Sequence, residues 1–227
     1  MNVVSNKIVH ADCMTAMQNM DDLSVDLTVT DIPYSEVSQK SSGLRKLDRG
    51  NADTLTFDLD DFVREISRVT RESLYVFCGT KQISKIVEVF NGLGLTTRVG
   101  VWEKTNPRPM NGSRLWVSGM EFCVFARKAR STFNVHCQKA LWKHSSGRSK
   151  QHPTEKPLSL MEEIIAASSN PGHIVFDPCC GSGTTLLAAK NLGRRYLGIE
   201  INKEYYEIAR SKLSLNDDDL TLEMLLA

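Results

Sequence analysis

The chain has 227 residues, of which 41% are hydrophobic and 24% charged, and its formal net charge is +1. This is the composition of an ordinary soluble globular protein, long enough for one compact domain with a sizeable core. No apolar run approaches the roughly 18–20 residues that span a bilayer. The first residues show no apolar stretch behind a basic start, so we expect no export signal, no membrane partner and a cytoplasmic protein.

The six cysteines are scattered and form no Cys-x-x-Cys pair. Such a pattern argues against a zinc site and against a secreted disulfide framework, and we predict no metal. The adjacent residues Cys179 and Cys180 are expected to be reduced and to lie in a loop, because neighbouring cysteines rarely form a disulfide or share a metal. The six are Cys13, Cys78, Cys123, Cys137, Cys179 and Cys180.

The charge is unevenly divided along the chain. From Arg98 to Lys156 there are 12 Lys and Arg residues against three Glu, although the whole chain has 28 basic and 27 acidic residues. A basic segment of this kind is typical of a surface that binds a polyanion. A solvated basic face explains the same count, and charge alone leaves both interpretations open.

In the first two thirds, short runs of apolar and β-branched residues alternate with segments of helical periodicity. We predict strands over residues 7–10, 25–30, 74–78, 98–102 and 121–126. Helices are predicted after Asp12, which can cap one, and over residues 60–71 and 82–90. Residues 35–56 lack periodicity and are expected to form a long loop, and residues 127–151 are basic, polar and weakly periodic.

The last third is the most regular. Helices are predicted over residues 158–167, 184–192 and 203–213, with strands over residues 174–176 and 196–201 between them. Alternating strands and helices predict an α/β fold, with a mainly parallel sheet and helices on both faces.

A glycine-rich turn follows the strand at residues 174–176. Glycines at 181 and 183 allow a tight turn and a close approach of a ligand to the backbone, and Glu200 ends the next strand about seventeen residues later. The arrangement is typical of nucleotide-type binding, although a plain turn with a surface Glu has the same pattern. A dinucleotide-binding dehydrogenase fits less well, because Leu186 replaces the third glycine. Asp177 would also repel a pyrophosphate but suits an ammonium group, such as that of S-adenosylmethionine.

Three motifs together resemble those of DNA amino-methyltransferases. They are Asp-Ile-Pro-Tyr at residues 31–34, His-Pro-Thr-Glu-Lys-Pro at 152–157 and Asp-Pro-Cys-Cys-Gly-Ser-Gly-Thr-Thr at 177–185. Their order is similar to that of the β group. The resemblance implies the S-adenosylmethionine-dependent methyltransferase (Rossmann-like) fold, with seven strands of which one is antiparallel. It also implies a single domain over residues 1–227, made of a catalytic half (about 1–105), a target-recognition insert (about 106–151), a cofactor half (about 152–213) and a tail (214–227).

The family pattern assigns catalysis to Asp31, Ile32, Pro33 and Tyr34. An exocyclic amine is a poor nucleophile, and the Asp31 carboxylate and the main-chain carbonyl of Ile32 would accept hydrogen bonds from it. Tyr34 would stack on a base rotated out of the duplex. Ile32 stands where the family usually has proline, so we expect some loss of rigidity.

Asp at the first position implies adenine N6 as the target, whereas cytosine-N4 enzymes more often have Ser. Three alternatives stay open: a cytosine-N4 enzyme, an RNA enzyme, and a catalytically weak nucleic-acid-binding subunit. The last is motivated by Ile32 and by Cys179, which stands where the family often has Phe.

The resemblance also implies which residues bind S-adenosylmethionine. Ala11 and Asp12 would approach its adenine, and Thr154 and Lys156 its methionine carboxylate. For Asp12 the alternative is helix capping alone, and for Lys156 it is a solvated side chain. The complete predicted set is Ala11, Asp12, Asp31, Thr154, Lys156, Asp177, Pro178, Cys179, Gly181, Ser182, Gly183, Thr184 and Glu200.

Double-stranded DNA is the implied partner. Residues 102–107 resemble the segment that helps to hold the flipped base, and basic side chains downstream would contact phosphates. We also expect pairing of two chains and a companion restriction endonuclease, in a bacterial or phage-infected cell. The predicted DNA-binding residues are Arg45, Lys46, Lys104, Asn106, Arg108, Arg114, Lys143, Arg148 and Lys150.

Overall fold

The computed structural model describes residues 5–34, 55–107, 113–147 and 155–215. These residues contain eight strands: β1 (Lys7–His10), β2 (Val25–Asp31), β3 (Thr70–Cys78), β4 (Thr96–Lys104), β5 (Met120–Arg127), β6 (Leu141–His144), β7 (Ile174–Asp177) and β8 (Arg195–Glu200). They also contain six helices: α1 (Cys13–Gln18), α2 (Leu59–Val69), α3 (Ile83–Gly92), α4 (Leu158–Ser168), α5 (Thr184–Asn191) and α6 (Lys203–Leu213).

The strands form one sheet in the order β1-β8-β7-β2-β3-β5-β4-β6. Every neighbouring pair is parallel except those of β5, which is antiparallel to β3 and to β4. The prediction of a mostly parallel α/β sheet with one antiparallel strand is confirmed.

The prediction of seven strands is wrong, because the described residues already contain eight and β6 is the additional one. It pairs in parallel with β4 inside the segment that shows little periodicity in the sequence. Trp142 is the reason: its side chain is buried, and its ring occupies the space beside Gly100, where an added Cβ would lie 2.5 Å from the ring. A four-residue strand with a single buried side chain is too short to show an alternating pattern.

Apolar side chains cover both faces of the sheet. Alternate residues of β3 point to opposite sides, as the period of a strand requires. Leu74 and Val76 pack in the core that includes α1, α2 and α3, whereas Tyr75 and Phe77 pack in the core that includes α4, α5 and α6. The predicted layering, with helices on both faces, is therefore confirmed.

Capping side chains fix where the first helices begin. Asp12 caps α1 by accepting from Thr15 N, as predicted, and Asp58 caps α2 by accepting from Asp60 N and Asp61 N. The predicted helix over residues 60–71 runs two residues too far, because Thr70 is already extended and starts β3. No helix in the described part of the chain is long and apolar enough to cross a membrane.

The topology gathers the ends of the parallel strands at one edge of the sheet. Asp31, Lys104, Asp177 and Glu200 are the last residues of β2, β4, β7 and β8. Because β5 runs in the opposite direction, its first residues lie at this same edge, and Glu121 is the second of them. Ligands of open α/β sheets bind at such an edge.

Candidate active site

A buried lysine joins two carboxylates at the carboxyl edge of the sheet. The ammonium of Lys156 contacts Asp31 Oδ2 and lies 3.0 Å from Glu121 Oε2. Tyr34 donates its hydroxyl hydrogen to the same Glu121 oxygen at 3.1 Å. On the other side of Glu121, Lys104 Nζ lies 2.6 Å from Oε1. Asp31, Tyr34, Glu121, Lys104 and Lys156 therefore form one connected network, which we call the carboxylate–lysine network.

The protonation of this network follows from burial and from its neighbours. Burial raises the pKa of the Asp31 carboxyl and outweighs the opposing attraction of Lys156. Burial would also raise the pKa of Glu121, but Lys156 and Lys104 outweigh it and lower that pKa to about 2. Burial would lower the pKa of Lys156, but Asp31 and Glu121 raise it. Glu121 and Lys156 are therefore charged at neutral pH.

One oxygen of Asp31 has no hydrogen-bond donor among the described residues. The Asp31 side chain is 33% exposed, yet its Oδ1 atom is buried and accepts no hydrogen bond from the described residues. A buried acceptor without a partner is costly, and such atoms commonly await a ligand. Oδ1 can accept a hydrogen bond from a substrate amine.

Neighbouring elements hold the rest of the tetrapeptide in place. Ile32 is 2% exposed, and its N–H donates to the Phe77 carbonyl of β3 at 3.2 Å. Gln82 donates through Nε2 to the Pro33 carbonyl at 3.1 Å and accepts from Gly79 N at 2.8 Å. Burial of the Ile32 side chain and the hydrogen bond of its N–H to Phe77 restrain residue 32. These restraints offset the loss of rigidity expected without a proline ring.

The glycine-rich turn lies between two buried acids. Asp177 is 2% exposed, and its burial raises the pKa of its carboxyl to about 7. Cys179 N donates to Asp177 Oδ1 at 3.1 Å, and Gly181 N donates to Glu200 Oε2 at 2.8 Å. Burial also raises the pKa of Glu200. Two acids that are costly to ionise in the free protein suit a ligand with an ammonium group and hydroxyl groups.

The structure brings the predicted adenine-binding residues next to Glu200. Ala11 N donates to the Glu200 carbonyl at 3.1 Å, because β1 and β8 are parallel neighbours. Asp12 Oδ1 accepts from Thr15 N at 2.8 Å and from Thr15 Oγ1 at 2.9 Å, so this oxygen caps α1. A contact of Asp12 with adenine stays a prediction.

The remaining predicted cofactor residues have partners in the protein, belong to the turn or lie outside the described residues. Thr184 donates to Glu155, and Ser182 Oγ lies 3.2 Å from Lys212 Nζ. Cys179 packs beside the core, and both Cys179 and Cys180 are free cysteines. The Lys156 ammonium is directed to Asp31 and Glu121, and Pro178 and Gly183 belong to the turn itself. Thr154 lies outside the described residues.

The predicted DNA-binding residues fall into three groups. Lys104 is directed inward to Glu121, and Asn106 bonds both backbone groups of Ser146, with its Oδ1 2.7 Å from Ser146 N. Arg114 and Lys143 are exposed, although Lys143 lies 3.1 Å from Glu103. Five lie outside the described residues: Arg45, Lys46, Arg108, Arg148 and Lys150.

Two carboxylates and one imidazole lie close together at the opposite edge of the sheet. The ligand atoms of Asp26, Glu72 and His173 lie within 4.8 Å of one another. Asp26, however, accepts from Arg71 at 2.7 Å and from the N–H of Ile174 at 2.8 Å. These donors occupy the oxygens that a cation would need, so the cluster carries no metal assignment.

No motif in the sequence singles out Glu121, Gln82 or Trp116. Glu121 is one of three acids in a basic segment, although an acid directly before the apolar run of β5 is a signal for a role at a strand end. Trp116 is 99% exposed just before β5, which no periodicity reveals. Gln82 bonds the Pro33 carbonyl from the start of α3, 49 residues away in sequence.

Comparison with known proteins gives consistent results. A family model described as DNA methylase matches residues 25–211. The Type II methyltransferase M2.DpnII of Streptococcus pneumoniae is 31% identical, over 93% of this chain and 90% of the relative. The Type II methyltransferase M.HinfI of Haemophilus influenzae is 30% identical, over 92% of this chain and 68% of the relative.

Solved structures agree. The M1.HpyAVI–SAM complex has a TM-score of 0.74 and 33% identity, covering 92% of this chain and 99% of that one. The cytosine-N4-specific PvuII DNA methyltransferase has a TM-score of 0.72 at 15% identity, which shows the fold alone. The predicted family, fold, cofactor and reaction class are confirmed. The chain thus belongs to the DNA methylase family and is an S-adenosylmethionine-dependent DNA methyltransferase.

Proposed function

We propose that the chain methylates the N6 amine of adenine in duplex DNA. The proposal rests on Asp31 at the end of β2, whose buried Oδ1 accepts no hydrogen bond from the described residues. A carboxylate at this position is the family tendency for adenine. The 15% identity to the cytosine-N4-specific PvuII enzyme gives no argument about the target.

The residues of the tetrapeptide divide the work on the base. Asp31 Oδ1 accepts a hydrogen bond from the amine, and the carbonyl of Ile32 accepts the second, which favours a pyramidal nitrogen with an available lone pair. Tyr34 stacks on the base after it has left the duplex. No covalent link between enzyme and base is needed, because alignment and preorganised acceptors suffice.

The glycine-rich turn and the acids beside it hold the cofactor in this proposal. Asp177 pairs with the ammonium of the methionine part, and Glu200 accepts from the ribose hydroxyls. When bound, S-adenosylmethionine supplies a methyl group made electrophilic by its sulfonium sulfur. Both acids are buried at strand ends on the same edge as Asp31, which supports a shared site.

The DNA contacts the edge of the sheet near the start of β5. Residues 114–118 are all exposed there, and they include Arg114 and Trp116. An arginine can contact phosphate, and an exposed aromatic ring can stack on a base or wedge into a base step. Because this segment leads directly into Glu121, bound DNA lies next to the carboxylate–lysine network.

We extend the proposal to assembly. The insert over residues 106–151 is short and covers few base pairs, so two chains pair on the DNA. The name Type II methyltransferase of the relatives M2.DpnII and M.HinfI supports a companion restriction endonuclease.

Identification of the modified nucleoside tests the proposed target. Unmodified duplex DNA is incubated with the protein and S-adenosylmethionine, digested, and analysed by mass spectrometry. We expect N6-methyladenine, and none when the cofactor is omitted. N4-methylcytosine as the product would contradict the adenine assignment. Failure to bind cofactor in calorimetry at millimolar concentration would instead indicate the catalytically weak subunit.

A further inference from the structure

We propose that Glu121 is a positioning residue for methyl transfer. Glu121 pairs with the same Lys156 ammonium as Asp31 and orients Tyr34, so that Asp31 Oδ1 stays available to the target amine. The inference deepens the proposed function at the same site. It applies to an adenine or a cytosine amine alike, because both offer hydrogens to the same acceptor.

Glu121 is fully engaged by protein donors. Its Oε2 lies 3.0 Å from Lys156 Nζ and accepts from the Tyr34 hydroxyl at 3.1 Å, and its Oε1 pairs with Lys104 at 2.6 Å. Its side chain is 20% exposed. These contacts leave it little capacity for DNA, and its effect on the reaction passes through the groups that it holds.

The contacts of Lys156 show what Glu121 does for Asp31. A lysine ammonium has three hydrogens to donate. Here the ammonium meets Asp31 Oδ2, Glu121 Oε2 and the Tyr34 hydroxyl, the last at 3.3 Å. These three contacts, two hydrogen bonds and one ion pair, hold the ammonium on one oxygen of Asp31. Without Glu121, a free hydrogen of Lys156 could turn to Oδ1 and occupy the acceptor that the amine needs.

Tyr34 depends on the same carboxylate. Its hydroxyl donates to Glu121, and its ring centroid lies 5.4 Å from Lys156 Nζ, within cation–π range. These two contacts restrain the ring from its tip and from one side. Glu121 thus couples the hydrogen-bond acceptor for the amine with the ring that would stack on the base.

The antiparallel direction of β5 explains how Glu121 reaches the site. The register pairs Cys78 with Phe122, so Glu121 lies one residue beyond the end of β3. A strand parallel to β3 would place its amino end at the opposite edge of the sheet. The antiparallel strand therefore brings an acid from its start next to Asp31 at the end of β2.

The charge of Glu121 acts on the titration of its neighbours. It raises the pKa of Asp31 and the pKa of Lys156, so its removal lowers both. The titratable groups that face Asp31 from the elements around it are Lys156, Glu121, Tyr34, Asp177, Cys78 and Cys123.

The test is Glu121→Gln, which keeps the shape of the side chain and removes its charge. We expect kcat to fall at least about tenfold, while KM for DNA and Kd for the cofactor stay within about threefold, since the loss is confined to the reacting complex. The acid limb of the kcat–pH profile, which reports the ionisation of Asp31, should move to lower pH. Glu207→Gln on α6 is the matched control. Glu207 is exposed and makes a long ion pair of 3.7 Å with Arg210, so we expect no change in kcat or in the pH profile.

Two results would overturn the inference: an unchanged kcat, or a lower kcat with the acid limb at its wild-type position, which a merely structural role would give. If Glu121→Gln does not fold, the double variant Lys104→Gln/Glu121→Gln removes the unpaired lysine and undergoes the same measurement. The wild-type product distinguishes the two proposals. If wild type makes N4-methylcytosine, the adenine assignment fails, whereas the shift of the acid limb still decides the role of Glu121.

Discussion

At position 32 the chain departs from the family motif, and burial and a backbone hydrogen bond restrain this residue. Family members usually have proline there, whose ring restrains the backbone. In this chain the Ile32 side chain lies in the core and its N–H donates to the Phe77 carbonyl. Proline has no N–H, so the residue that fits the family pattern would lose a contact that this protein uses.

We therefore expect Ile32→Pro to destabilise the protein. It leaves the buried Phe77 carbonyl without its donor and removes core volume, with a combined loss of about 2 kcal/mol in the free energy of unfolding. Urea unfolding measures it. Ile32→Val, which keeps the N–H, should lose about 1 kcal/mol or less. An Ile32→Pro variant as stable as wild type would show that the hydrogen bond is dispensable.

Asp177 gives the site a dependence on pH. Its folded-state pKa of about 7 lies above the usual carboxyl value, so the folded protein holds a proton that the unfolded chain has lost. The contribution of Asp177 to stability is therefore present below the usual carboxyl pKa and is lost as the pH rises to about 7. A cofactor ammonium that pairs with the ionised carboxylate compensates for this loss.

Cofactor affinity should consequently rise by about tenfold between pH 5.5 and 7, below the titration of the ligand's own amine. Calorimetry with S-adenosylmethionine measures the dissociation constant across this range. Asp177→Asn, which cannot ionise, should bind more weakly at pH 7 and with little dependence on pH. A wild-type affinity that does not change over the range would exclude the ammonium pairing.

At the scale of elements, the sequence predicts the regular parts of the fold and misses one non-local strand. The helices and strands of the last third lie within one residue of the expected positions, because apolar runs alternate there with turns that contain Pro or Gly. β6 depends on Trp142 filling the space beside Gly100. That contact joins residues far apart in the chain, and no local pattern encodes it.

The turn between β7 and α5 depends on Gly183. This residue has φ +79°, and a Cβ there would lie 3.0 Å from the Cβ and 3.3 Å from the Cα of Ala209 on α6. Gly193 has a similar φ of +70° but open space around it. Comparing substitutions at Gly183 and Gly193 therefore separates the cost of backbone strain from the cost of crowding against α6.

We expect Gly193→Ala to lower the free energy of unfolding by about 1 kcal/mol, because alanine is strained at positive φ. Gly183→Ala should lower the free energy of unfolding by about 1–2 kcal/mol more, because of crowding, and should weaken cofactor binding. Chemical denaturation of both variants measures the difference. Equal losses would show that α6 yields to the added methyl group.

At the scale of the whole molecule, the basic segment has two roles that its charge count does not separate. Lys104 and Lys156 are directed inward and balance Asp31 and Glu121, whereas Arg114 and Lys143 are exposed. The sequence identifies the tetrapeptide and the glycine-rich turn by their motifs. The pairing of Asp31 with Lys156 joins residues 125 positions apart and requires the assembled sheet.

Methyl transfer by Asp31→Ala tests the central claim most directly. The variant and wild type are given the same duplex DNA and labelled S-adenosylmethionine in single-turnover reactions, and cofactor affinity is measured by calorimetry. We predict that transfer falls by about two to three orders of magnitude, as when a preorganised hydrogen-bond partner is removed, while cofactor affinity stays within about threefold. Transfer at the wild-type rate would contradict the assignment of Asp31 as the acceptor for the amine.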